Sequence, residues 1–171
     1  MSAPLHPEAP AAQADWPALA ATAAQLLADR RRRDPADVES GSRTAKDADA
    51  RARVARSLDA LWRAVIAREP IPDLPATHAE IRADLAEASR LARQRAERRP
   101  DAAAAELAAK VEALAWHHRP VWTGADLPAI AFLHGCNQAA RQIARANAAV
   151  LEAATVRLPE RPAPRQKALF G

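Results

Sequence analysis

The chain has no tyrosine, one cysteine, one methionine, two phenylalanines and four glycines among its 171 residues. A single cysteine, Cys136, rules out an internal disulfide and fits a reducing compartment. The few glycines form no phosphate-cradling loop, and no acidic pair or triad element marks a catalytic centre, so the expectation is a protein that is not an enzyme and needs no cofactor. No segment approaches the roughly eighteen apolar residues of a membrane span, which argues against a membrane partner. Residues 1–14 hold three prolines and no apolar run, unlike a signal peptide. Together these absences predict a cytoplasmic protein.

What remains is mostly alanine and arginine. Only Lys46, Lys110 and Lys167 among the 25 basic residues are lysine, a bias typical of GC-rich bacterial coding. The net charge of +4 permits acidic or nucleic-acid partners without requiring them. Alanine has the highest helix propensity and buries little area, so long helices with thin contacts are expected.

The fourteen prolines fall at the joints of this pattern. Pro4, Pro7 and Pro10 lie in an N-terminal tail, Pro35 follows an arginine run, and Pro70, Pro72 and Pro75 form a linker. Pro100 and Pro120 separate segments, and Pro159, Pro162 and Pro164 belong to a C-terminal tail. Pro17 and Pro128 sit in first turns of helical patterns, where the missing N–H is harmless. Between the breaks the spacing predicts an all-α bundle of about five helices over residues 15–156, with disordered tails at 1–14 and 157–171.

The first helix is expected from Trp16 to Arg33, capped by Asp15, with Leu19, Leu26 and Leu27 inward. The second spans Ala45–Arg68 with the stripe Val54, Leu58, Leu61, Trp62, Val65, Ile66. The third opens on the capping box Thr77-His78-Ala79-Glu80 and carries Ile81, Leu85 and Leu91. The fourth follows Asp101 and buries Leu107, Val111, Leu114 and Trp116. A short helix, Leu127 to His134, ends at Gly135, and a longer one runs to Val156.

Gln166-Lys167-Ala168-Leu169-Phe170 stands out against this scaffold. Leu169 and Phe170 are large apolar residues in a proline-rich tail with no helical stripe. Such anchors gain more from a partner's pocket than from folding back. Gln-x-x-Leu-Phe resembles the motif by which bacterial polymerases and repair factors dock on the DNA polymerase sliding clamp. The resemblance implies that Leu169 and Phe170 fill a hydrophobic cleft and that the Gln166 amide hydrogen-bonds in an adjoining pocket. Lys167 and Ala168 depart from the Leu and Ser or Asp common at those places. A protein that occupies the cleft without enzymatic cargo resembles the small replication-blocking toxins of toxin–antitoxin pairs, which implies an antitoxin or proteolytic adaptor as a further partner. A clamp-recruited repair or replication accessory factor shares the motif.

A second reading concerns residues 127–150. Ile130-Ala131-Phe132-Leu133-His134-Gly135-Cys136-Asn137 resembles the first helix and turn of a helix-turn-helix, after which Arg141 and Arg145 would meet phosphates or bases of DNA. Arg141 departs from that pattern, which wants an apolar residue six places after the turn glycine. Nucleic acid is the less favoured partner on that ground.

Other constellations read as structural. His117, His118, His134 and Cys136 match no zinc spacing, and adjacent helical histidines diverge by about 100°. A histidine closing the fourth helix suits its dipole when protonated. Cys136 reads as a buried structural thiol. Arg30-Arg31-Arg32-Arg33, and the basic stretch from Arg90 to Arg99, read as solvated helix surface.

Overall fold

The computed structural model describes residues 9–122 and 124–156. The chain divides into two compact units, Met1–Gly135 and Cys136–Gly171. The first contains a 3-10 turn (Ala11–Ala14), α1 (Trp16–Glu39), α2 (Ala45–Ala67), α3 (His78–Arg98), α4 (Ala102–His117) and the opening of α5 (Ala129–Val156). The described part of the second is the rest of α5. No strand forms among the described residues, and one isolated bridge joins Pro120 to Pro128. None of their helices is long and apolar enough to cross a membrane.

Side-chain caps set most of the helix starts. The carboxylates of Asp15 and Asp101 accept the backbone N–H groups of Ala18 and Ala104, at 3.1 and 2.7 Å. Thr44 accepts from Asp47 N at 3.0 Å. At α3 the capping box closes both ways: Thr77 Oγ1 accepts from Glu80 N at 3.2 Å, and Glu80 Oε2 from Thr77 N at 2.8 Å. Each such cap satisfies a donor that the helix itself leaves open. α2 ends without glycine. Arg68 takes the left-handed conformation (φ 62°), and Glu69 N reaches back to Ala64 O at 3.0 Å.

In the first unit α1 packs on α2 and α4, and α3 packs on α2 and α4, so four helices close a ring around one core. Leu19, Leu58, Leu61, Trp62, Ile81, Leu85, Leu114 and Ile130 fill that core, all essentially without solvent contact. The inward spacing on α3 is Ile81, Leu85, Ser89, Ala92, which leaves Leu91 exposed. On α2 the expected stripe is buried from Val54 to Val65, and Ile66 falls outside it.

Three boundaries differ from the sequence expectation. α1 does not stop at Arg33 but continues through Pro35 to Glu39. Pro35 denies a bond only to the carbonyl of Arg31, an exposed residue, while Asp34 is anchored in the interior by Arg43 and Arg51. α5 starts at Ala129 and passes through Gly135 without a turn. A helical glycine costs about 1 kcal/mol against alanine, too little to break a segment so rich in helix formers. Finally, the expected N-terminal tail is ordered from Ala11. Ala12 packs against the core, and the Gln13 carbonyl accepts a hydrogen bond from His117 Nε2 at 2.8 Å. The tail expected from residue 157 onward lies outside the described residues.

Candidate functional site

Gln166, Leu169 and Phe170 also lie outside the described residues. The geometry therefore bears on the other candidates, beginning with the predicted DNA-reading segment. Because α5 runs through Gly135 without a turn, Arg141 and Arg145 belong to the same helix as Ile130 and Phe132. That removes the helix-turn-helix expectation, since the motif presents its recognition helix only by means of the turn. Cys136, expected to be buried, is exposed.

The histidines are structural parts of the first unit. His118 caps α4 and is fully buried. Its Nε2 accepts the indole N–H of Trp62 at 3.2 Å, which requires a neutral ring protonated on Nδ1. His117 uses the opposite tautomer, because the carbonyl it bonds can only accept. Its ring meets Trp16, Trp62 and Trp116 edge-on, with centroids 5.0–6.0 Å apart. Burial holds the His118 pKa down at about 3 and lowers that of His117. Neither is the protonated cap the sequence suggested. His134 Nε2 donates to the Glu69 carbonyl at 2.6 Å. Among the described residues no cluster of His, Cys, Asp or Glu has the arrangement of a metal site.

The arginine run also behaves differently from a solvated helix end. Arg30 is buried. It pairs with Asp84 at 2.5 Å and donates to the Arg51 carbonyl at 2.9 Å, tying α1 to α2 and α3. Beside it lies a cavity of about 220 Å³. Within it Asp34 faces Arg43 at 3.8 Å and Arg51 at 3.6 Å, separations longer than a hydrogen bond. The cavity wall carries five arginines and five carboxylates, so it concentrates neither sign of ligand charge.

The feature that sequence reasoning missed is an apolar patch around the α4–α5 connection. Trp122 is 59 % exposed and meets Phe132 edge to face, with ring centroids 6.4 Å apart. Leu127 and Leu133 are exposed as well. The segment beneath is braced by its own backbone, Val121 N to Leu127 O at 3.2 Å and Ala129 N to Arg119 O at 2.9 Å. Arg82 ties it to α3 through two bonds to Asp126. Exposed tryptophan on a braced segment is typical of protein-binding surfaces. The spacing of Trp122 and Phe132 across an irregular segment gives no periodic signal, which is why the patch is invisible in sequence. No known protein family matches the chain, and no curated protein or solved structure is detectably similar to it.

Proposed function

We propose that the protein is an interaction module that docks on the bacterial DNA polymerase sliding clamp through Gln166, Leu169 and Phe170 and thereby impedes replication. The observation that carries this is the spacing Gln166-x-x-Leu169-Phe170. Two adjacent apolar anchors suit a hydrophobic cleft, and an amide three residues before them suits a smaller polar pocket. Few-anchor peptides of this kind bind with moderate affinity, since ordering the segment costs entropy. A chain that fills the cleft excludes the polymerase that uses the same cleft.

In this reading the helical unit is the handle for a regulator, an antitoxin or a proteolytic adaptor. The exposed Trp122–Phe132 pair fits such a role, as large aromatics at a surface are favoured anchors for protein partners.

The test uses the full chain and a purified bacterial sliding clamp. Leu169→Ala together with Phe170→Ala is expected to abolish binding while leaving the circular dichroism of the helices unchanged. Each anchor contributes about 1–3 kcal/mol if it fills a pocket. Undiminished clamp binding by the double variant would overturn the proposal. Binding that leaves clamp-dependent primer extension unimpaired would assign the protein to delivery of a partner rather than to blockage.

A further inference from the structure

The cavity beside Arg30 has a cause in the sequence of α3. Ile81 and Leu85 fill the core, but bulk then runs out, and the next positions turned the same way are Ala88 and Ala92. Alanine reaches less far across the bundle, and the cavity of about 220 Å³ lies at this level. Leu26 from α1, Ala88, Leu91 and Ala92 from α3, and Leu107 and Val111 from α4 form its apolar side. Leu91, Arg33 and Arg95 are exposed, so the cavity reaches solvent and a ligand can enter without unfolding.

The rest of the wall is charged. Its arginines and carboxylates balance in number, so it draws in neither sign from a distance. Recognition inside it is decided by which of those charges are already paired. Every carboxylate of the wall is. Arg30 holds Asp84, Arg43 and Arg51 flank Asp34, and Arg43 also meets Asp37 at 3.5 Å. Asp29 and Glu87 are taken, each at 2.6 Å, by Arg32 and Arg90, which are not part of the wall. Two wall charges are left over, and both are cations. Neither Arg33 on α1 nor Arg95 on α3 has a carboxylate partner among the described residues.

We propose that this cavity binds a small carboxylate with an apolar body about the size of one aromatic ring, its carboxylate held between Arg33 and Arg95. Each half of the ligand follows from one half of the wall. A guanidinium offers paired N–H donors that match the two oxygens of a carboxylate, and two arginines from different helices can grip one such group from both sides. The apolar side chains cannot satisfy a fully polar anion, which excludes inorganic phosphate as the natural occupant. They suit a hydrocarbon body, and the volume sets its size. An apolar cavity of about 150 Å³ accepts benzene, so this one takes a ring with a short acidic arm. A cationic ligand would meet only carboxylates that arginines already hold.

The proposal is independent of the clamp motif and is tested on the full chain by calorimetric titration with phenylacetate. Saturable one-to-one binding is expected. Phenylacetamide, which has the same shape without the charge, should bind at least about tenfold more weakly. Arg33→Gln and Arg95→Gln should each weaken phenylacetate binding by about tenfold, the usual effect of losing a hydrogen bond to a charged partner. Both arginines are exposed, so circular dichroism should show the helices unchanged in either variant. Ala88→Leu, which fills the apolar side, should abolish binding with the helices likewise intact. Absence of saturable phenylacetate binding would overturn the proposal. So would equal binding of phenylacetamide, displacement of phenylacetate by inorganic phosphate, or binding of wild-type strength in the double arginine variant or in Ala88→Leu.

Discussion

Acid should destabilise this protein chiefly through one buried histidine. His118 is fully buried and neutral, its Nε2 taken by the Trp62 indole N–H and its pKa held near about 3 by desolvation. In the unfolded chain the same ring titrates near 6.5. Between these values the unfolded state binds a proton that the folded state refuses. Stability from this group is therefore complete above pH 6.5 and declines as pH falls toward 3. The slope is about 1.4 kcal/mol per pH unit, so lowering the pH by two units below 6.5 costs about 2.7 kcal/mol, a large share of a typical domain's stability. His117, also lowered by burial, adds in the same direction. Glu80, pushed down to about 2 chiefly by its hydrogen bond from Arg53, contributes in a separate, more acid window below 4.5. The assay is urea unfolding followed by far-ultraviolet circular dichroism at a series of pH values from 7 to about 4.5. His118→Gln keeps an acceptor for Trp62 and removes the titration. It should be less stable than the wild type at pH 7 but flatter with pH, by about 1.4 kcal/mol per unit. Equal pH slopes in the two proteins would refute the assignment.

Two further substitutions probe the first unit. Asp84→Ala strands the buried guanidinium of Arg30 and should cost about 3–5 kcal/mol, seen as a lower urea midpoint with unchanged slope. Thr77→Ala opens the α3 capping box and should cost about 1 kcal/mol in the same experiment.

Local chemistry made much of the fold legible. The caps Asp15, Thr77 and Asp101, with the Val54-to-Val65 stripe, place the helix starts and the central core, because each acts within a turn or two of chain. Where the reading failed, a distant partner or a weak breaker was responsible. Arg30 looked solvated because its carboxylate lies 54 residues away, and His118 looked like a charged cap because Trp62 lies 56 residues away. Pro35 and Gly135 looked like helix ends because each is a breaker on average. In α1 the Pro35 penalty falls on an exposed turn, and in α5 the glycine sits among strong helix formers. The Trp122–Phe132 patch was not legible either, because it depends on how an irregular segment is braced.

The central claim concerns three side chains, and the most direct measurement is calorimetric titration of a purified bacterial sliding clamp with a peptide of residues 157–171. The account predicts saturable binding that is lost when Gln166, Leu169 and Phe170 are all replaced by alanine, and displacement of the peptide by a polymerase's own clamp-binding segment. No heat of binding at the solubility limit of the peptide, or binding that the triple replacement leaves intact, would contradict it.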